Sequence, residues 1–486
     1  MTFRLRLLLP LLAVLLAATG ARAEIKLTLD EAIRLALEKN PQIKVDAYDR
    51  PIARADWLAE LGRFDPALTF RRSYSESNTP SYGPATLSDL YQSDEYSLGL
   101  EGTTPWGLSY RIGGTASNER RAIDPDAFAT FGGIQVTQPL LRGFGFGANL
   151  RGVRIARANR GIADWTFRQS AIDTVTAVIG AYSDVSYAQN LLRITRRSRE
   201  LSSGLVAENE RRFKVGSMSE NDVVQARARS AARDQAILYA EQAVRDSVNR
   251  LRQLIGETEF PIEPENIVVE PPEIVDEPTI SLQEDLKIAF EKRPDYQAAR
   301  LGVDIYRVNH VYARNQLLPQ LDFVGSYGYR GLDTDFGVSR RMVRDRENRA
   351  YSAGVVVSVP LTFTEGRGRL RSARLKLRQS EADLDRLEQD IAVSVASAAG
   401  QIDTARRRVA ANRAAYELAK QALDDELKKL RAGTSSTFFV LNIQEQLAAV
   451  ESNLYQSLAD QRRAHANYDR AIGRTLDVHH VTLAKE

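Results

Sequence analysis

The chain has 486 residues, 66 Lys+Arg against 63 Asp+Glu, and no Cys. The lack of Cys excludes a disulfide framework, thiolate catalysis, a Cys-based metal site and an N-terminal lipid-modified Cys. Arg4, Arg6 and Arg22 lie in a leader without acids, so the remainder is balanced at 63 against 63 (66 − 3). Its Arg residues are interleaved with acids rather than gathered in a phosphate-binding stripe, which argues against nucleic acid as a partner.

Residues 1–23 read as a cleaved signal peptide. Arg4 and Arg6 form the basic start, Leu7 to Ala18 the apolar core, and Ala21-Arg22-Ala23 the small-residue cleavage site. The mature chain is therefore exported and not lipidated. Beyond the leader no run of 18 apolar residues occurs, so no transmembrane helix is expected. Any membrane span would have to be built from short amphipathic strands.

A first structural repeat covers residues 24–256. Thr28 and Glu31 have capping-box spacing ahead of a helix carrying Ile33, Ala36 and Leu37, which should end near Asn40 because Pro41 follows. A second helix runs to about Gly62, with a kink or late start at Pro51, and Phe64-Asp65-Pro66 breaks it. Residues 67–140 alternate apolar with polar, as in Leu98 and Leu100, Tyr110 and Ile112, and Ile134 and Val136. These are half-buried strand signatures separated by Ser/Asn/Pro/Gly loops, with room for about four strands. A Pro-free long helix follows over 148–212, with Leu191, Ile194, Leu201 and Leu205 at helical spacing. At about 1.5 Å per residue it makes a rod of roughly 90–95 Å. Past Gly216 a returning helix covers 219–255, with Ser219 as N-cap and Asp222 in the capping-box position.

Residues 257–280 are a Pro/Glu-rich connector. The order then repeats over 281–473. Leu29–Pro41 aligns without gaps onto Leu282–Pro294, an offset of 253 (282 − 29), and the same offset matches Pro66, Leu68, Phe70 and Tyr74 to Pro319, Leu321, Phe323 and Tyr327. The β segments at 320–361 offer two strands, the long helix covers 367–429 and the returning helix 436–472, leaving a tail at 474–486. The module of helices, β region, long helix, turn and helix occurs twice. The apolar strand faces suit either a soluble core or a lipid-facing surface. An open-edged sheet cannot sit in a bilayer, so closure calls for several copies of the chain.

Together these features resemble the TolC-like outer-membrane factor family of Gram-negative bacteria. The resemblance is carried by Leu29-Asp30-Glu31-Ala32 to Asn40-Pro41, Pro66 and Pro319, Gln138-Pro139-Leu140 with Pro360-Leu361, and Phe213-Lys214-Val215-Gly216-Ser217 with Arg431-Ala432-Gly433-Thr434. It covers essentially the whole mature chain. It implies a mainly α fold with membrane β: a homotrimer joining a long periplasmic α-helical barrel to a β-barrel in contact with outer-membrane lipid. It also implies a channel for efflux or type I secretion of small molecules or polypeptides, without a cofactor. Its partners would be a periplasmic adaptor (membrane fusion) protein and an inner-membrane RND or ABC pump. The alternative is a non-channel structural or adhesive coiled-coil protein of the cell envelope.

The resemblance puts the periplasmic aperture at the turns joining long and returning helices. Gly216, Ser217 and Ser219, with Gly433, Thr434 and Ser435, form the helix-turn tips and adaptor-docking candidates. The family's aperture acids are absent, because Phe439 and Asn442 occupy their positions, and Ser435 stands where a basic latch is expected. The aperture candidates are therefore Asp222, Phe438, Phe439 and Asn442, and capping is the competing role for Asp222. The β-to-α transition candidates are Pro139, Gly143, Gly145, Gly147, Pro360, Gly366 and Gly368. The family's usual four strands per chain are exceeded, so either two segments form an external hairpin or the barrel has more strands. His310, His465, His479 and His480 lack zinc-site spacing, and no Walker or dinucleotide fingerprint is present, so neither an enzyme nor a metal site is expected.

Overall fold

The structure is a computed structural model describing residues 25–79, 89–121, 126–257, 267–271 and 280–483. The expected signal peptide at residues 1–23 and most of the Pro/Glu-rich connector lie outside the described residues. In chain order the elements are β1 (Ile25–Leu27), α1 (Leu29–Lys39), α2 (Pro41–Ala47), α3 (Asp49–Gly62), β2 (Ala67–Thr79), β3 (Asp89–Thr103), β4 (Ser109–Arg121) and β5 (Ala127–Pro139). Next come α4 (Phe146–Asn149), α5 (Arg151–Lys214), α6 (Glu220–Ile255), β6 (Ile267–Val269), α7 (Leu282–Lys292) and α8 (Pro294–Gln316). The chain ends with β7 (Gln320–Asp333), α9 (Phe336–Arg344), β8 (Asn348–Ser358), α10 (Thr364–Arg431), α11 (Thr437–Ile472) and α12 (Thr475–Val478).

Local chemistry accounts for most of the element ends. Thr28 caps α1 in a reciprocal box with Glu31: the Glu31 amide donates to Thr28 Oγ1 (3.3 Å) and the Thr28 amide to Glu31 Oε2 (3.1 Å). Pro51 takes the third position of α3, so the chain breaks at Tyr48 instead of kinking within one helix. Gly216, Gly256, Gly433 and Gly473 end α5, α6, α10 and α11 with φ of 75°, 77°, 74° and 79°. A left-handed residue there lets the last carbonyls find amides, and a side chain would cost about 1 kcal/mol or more. The same stop signal thus stands at corresponding places in both halves.

Some sequence expectations are revised. The first long helix starts at Arg151, after the separate turn of α4, and runs to Lys214. The second starts at Thr364, which puts Gly366 and Gly368 at the third and fifth positions of α10. The left-handed turn there belongs to Phe363, with φ 51°. The stretch 320–361 is interrupted by α9. Residues 267–269 of the connector form a strand.

The chain divides into two compact units. One comprises residues 1–41, 173–279 and 398–470. Val175, Val178, Tyr182 and Val185 of α5, Ile402 and Val409 of α10, and Val440 and Leu441 of α11 are buried in it. A parallel ribbon, β1 with β6, pairs Leu27 with Val269. Tyr182, Ser186 and Gln189 hold it from one stripe of α5. Tyr182 Oη donates to Leu27 O (3.0 Å) and accepts from the Glu270 amide (3.1 Å), and Ser186 Oγ donates to Glu270 O (3.1 Å). Gln189 Oε1 accepts from the Val269 amide.

The other unit comprises residues 42–172, 280–397 and 471–486. It contains a six-stranded antiparallel sheet in the order β2-β3-β4-β5-β7-β8. The two alternatives for the extra pair of strands are thereby resolved at the level of one chain: β3 and β4 are integral, pairing with β2 and β5 along their lengths. The two halves of the sequence meet at β5–β7, where Phe128 to Pro139 pairs with Asp333 to Asp322. Among the described residues strand β2 pairs only on its β3 side and β8 only on its β7 side, so the described sheet has two free edges. All four connections to long or packing helices leave one end of the sheet, at Ala67, Pro139, Gln320 and Ser358.

Candidate functional site

The register sorts the sheet's side chains into two unlike faces. Leu68, Leu100, Ile112, Ile134, Tyr327 and Tyr351 are successive partners across all six strands. Two residues along, Phe70 pairs with Leu98, and on the other side of the row Phe323 pairs with Val355 and Leu321 with Val357. These side chains form one apolar face open to its surroundings: Leu68 is 75% exposed, Phe70 68% and Tyr351 72%. The opposite face carries Thr69 and Ser97 and, as successive partners, Glu101, Arg111, Gln135, Ser326 and Ser352. Arg111 pairs with Glu101 on it at 2.6 Å, and Ser326 Oγ lies 2.7 Å from Ser352 Oγ. Phe131, Val324, Leu332 and Val356 are among its apolar exceptions. Strands with one apolar and one polar side, both exposed, have the pattern of a barrel wall between lipid and water.

Below the sheet the β-to-α transition of the first half is tied by backbone bonds. The Leu140 amide donates to Leu321 O (2.7 Å) as Pro139 ends β5. Gly143 and Gly145 take φ of 83° and 86°. The Gly143 amide donates to Asn315 Oδ1 (2.8 Å), and the Gly145 amide to Trp106 O (3.0 Å). Asn149 Nδ2 donates to both glycine carbonyls, at 2.7 and 3.0 Å. Gly147 lies inside α4, and Pro360 follows the end of β8. Asn315 and Trp106 escaped the sequence reading because they come from segments distant from these glycines, whereas Asn149 is local and carries no motif.

At the helix turns the two halves use the same device. The Ser217 amide and hydroxyl both donate to Arg212 O (2.9 and 3.0 Å), and the Thr434 amide and hydroxyl both donate to Lys429 O (3.0 and 3.2 Å). Each is a Schellman-type closure around its glycine, reinforced by a hydroxyl. Ser219 caps α6, accepting from the Asp222 amide (3.3 Å) and donating to Asp222 Oδ2 (2.7 Å). Asp222 thus makes capping contacts while staying exposed. Ser435, in the place of the expected basic latch, donates to Glu426 Oε1. That bond, with Lys429 adding to it and burial opposing, holds the Glu426 carboxyl below the usual range.

Phe438 and Phe439 open α11. Their rings meet edge-on with centroids 5.7 Å apart. Arg229 of α6 lies over Phe438 at 5.0 Å. Beside them Thr437 Oγ1 donates to Asn209 Oδ1 of α5 (3.2 Å). Phe439 stays 55% exposed and Asn442 exposed, whereas Val440 and Leu441 are buried. Sequence reading found the aromatic pair; Arg229 and Asn209, which brace it, carry no motif.

Among the described residues no helix is long and apolar enough to cross a membrane, and no cluster of potential metal ligands occurs. A family model described as "Outer membrane efflux protein" matches residues 107–257 and 286–474. The chain is 26% identical over 330 residues to the outer membrane efflux protein BepC of Brucella suis, covering 68% of each chain. It is 22% identical over 445 residues to the alkaline protease secretion protein AprF of Pseudomonas aeruginosa, covering 90% of this chain and 82% of that one. Among solved structures, the outer membrane protein VceC of Vibrio cholerae superposes with a TM-score of 0.67 at 17% identity, covering 92% of this chain and 96% of that one.

Proposed function

The chain belongs to the outer membrane efflux protein family, and on that premise we propose that three copies form one continuous conduit with an eighteen-stranded barrel. Family membership makes it a non-catalytic outer-membrane channel of a TolC-like efflux or secretion system, with a periplasmic helical extension. The observation that carries the proposal is the six-stranded sheet with two free edges and two unlike exposed faces. A free edge cannot face hydrocarbon, because its amides and carbonyls would be unsatisfied. Strand β2 runs away from the helix-bearing end and β8 toward it, so β8 of one copy can meet β2 of the next in the antiparallel sense. Head-to-tail repetition then closes the ring. Six strands from each of three copies make eighteen, a number that leaves an aqueous lumen. The face of Leu68 and Ile134 turns to lipid and the face of Arg111 and Ser326 to water.

In this reading Gly216, Ser217, Ser219, Gly433, Thr434 and Ser435 form the tips that meet a periplasmic adaptor (membrane fusion) protein, beneath which an inner-membrane RND or ABC pump supplies small molecules or polypeptides. Asp222, Phe438, Phe439 and Asn442 stand beside those tips and line the aperture. Electron microscopy of the purified particle tests the proposal: three-fold symmetry with eighteen strands around an open lumen is expected. A solid stalk, or a twelve-strand ring with β3 and β4 outside it, overturns it.

A further inference from the structure

The short helix α9 was not foreseen in the sequence and the channel function does not use it. We propose that α9 is a docking site for the phosphate-bearing headgroup of an anionic lipid in the outer leaflet, held by Arg340, Arg341 and Arg344. This rests on the reading that the Leu68–Ile134 face turns to lipid.

Its seat is built into the sheet. Asp335 caps α9 by accepting from the Val338 amide (3.0 Å), and the helix then folds back over β5 and β7. Thr130 Oγ1 donates to Ser339 O (3.0 Å) and lies 2.8 Å from Ser339 Oγ, both buried. Phe336 meets Phe128 edge-on at 5.9 Å. Gly132 and Gly331 form the floor: a Cβ on Gly132 would stand 2.8 Å from Val343 Cγ1, and one on Gly331 would run into Ser339 O. Thr130, Gly132 and Gly331 share the face of Ile134 and Tyr327, so α9 lies on the apolar side of the sheet.

Depth follows from the register. The seat spans Phe128 to Gly132, seven to eleven residues beyond Pro139 at the helix-bearing end (139 − 132 and 139 − 128). At about 3.4 Å per residue and a tilt near 40°, that is roughly 18–29 Å up the barrel. The apolar band of such barrels is about 25 Å tall, so α9 crosses the outer boundary of the hydrocarbon.

At about 100° per residue, Phe336, Ser339 and Val343 face the sheet. Arg340, Arg341 and Arg344 then occupy one flank and Val338 and Met342 the other. A helix divided in this way suits an interface, with its apolar flank in lipid and its basic flank among headgroups. All three Arg are exposed. Among the described residues the side chains of Arg340 and Arg341 make no ion pair or hydrogen bond within reach of a direct contact, and Asp345, paired with Arg344 at 2.9 Å, is the acid nearest this flank and also feels the Arg341 charge. Guanidinium groups bind phosphate oxygens bidentately, and nothing else in α9 offers them such a partner.

The absence of Cys permits a direct test. The trimer, its triple variant Arg340→Gln/Arg341→Gln/Arg344→Gln and a charge-keeping Arg→Lys triple variant would be incubated in detergent with diphosphoryl lipid A or its dephosphorylated form. Retained lipid is read by native mass spectrometry. The parent should retain the phosphorylated form roughly tenfold more than the Gln variant does, with the Lys variant in between because it keeps the charge and loses the bidentate contact, and no such difference is expected for the dephosphorylated form. Equal retention by the Gln variant overturns the proposal. So does displacement of lipid by millimolar inorganic phosphate, which would mark a site for free anion. In parallel, Ile134→Cys and Met342→Cys carry a fluorophore in vesicles containing spin-labelled lipid. Quenching at both positions is expected. Quenching at Ile134→Cys alone removes α9 from the interface and leaves the barrel reading intact, whereas no quenching at Ile134→Cys removes both.

Discussion

Replacing Phe439 with Ala tests whether the aperture is closed by an aromatic ring. In a three-fold assembly the change deletes three phenyl groups beside the helix tips. Its cost to stability is small. Phe439 is 55% exposed, so about half of a buried Phe's ~1.5–3 kcal/mol is at stake, together with part of the ~0.5–1.5 kcal/mol of its edge-on contact with Phe438. About 1–2 kcal/mol per chain leaves a folded channel. A hydrophobic constriction blocks current by dewetting, so removing it should raise the resting conductance of a single trimer severalfold in a planar bilayer. Phe438→Ala is the control: Phe438 also carries Arg229 over its ring at 5.0 Å, worth ~0.5–2 kcal/mol, so its loss should lower the melting temperature more. Unchanged conductance in folded Phe439→Ala trimers would refute the aromatic gate.

Three further outcomes follow from other parts of the chain. Tyr182→Phe should destabilise its unit by about 1–3 kcal/mol and speed amide exchange at Glu270, since the lost hydroxyl bridges Leu27 O and the Glu270 amide; exchange at the parent rate would count against the ribbon's dependence on it. Gly331→Val should lift α9, costing the two Thr130–Ser339 bonds and the Phe128–Phe336 contact, about 2–3 kcal/mol, and speed tryptic cleavage after Arg340 and Arg341 by roughly 30–140-fold. An unaltered cleavage rate would show that the seat is not needed. Burial works to raise the Asp295 pKa, but Arg293, bonded to both its oxygens at 3.0 and 2.6 Å, holds it below the ordinary Asp value of about 3.9. A depressed carboxylate stabilises above its unfolded pKa and loses that contribution as pH falls through the folded one. Melting curves from pH 7 to pH 3 should therefore show Asp295→Asn less stable at neutral pH, by about 1 kcal/mol or less after solvent screening, and converging with the parent below about pH 4. A constant gap across that range would contradict the pairing.

Much of this protein was decided by local chemistry that can be read along the chain. Thr28 with Glu31, Pro41 and Pro294, and the glycines at 216, 256, 433 and 473 set helix ends through bonds within a few residues, so they are legible without a fold. The alternation around Leu98, Ile112 and Ile134 likewise marks strands, because a pleated chain sends successive side chains to opposite sides. The doubling of these signals in the same order was sufficient to suggest the family. Register and partnership needed the tertiary structure. Which strand lies beside which, and so whether β3 and β4 join the wall, depends on pairing between residues up to about two hundred positions apart, as at Phe128 and Asp333. The seat of α9 on Gly132 and Gly331, the bracing of Phe438 by Arg229, and the knot of Asn149, Asn315 and Trp106 arise the same way. Each joins distant segments whose own sequences carry no trace of the meeting, because the stabilising contact exists only once the chain has brought both sides together.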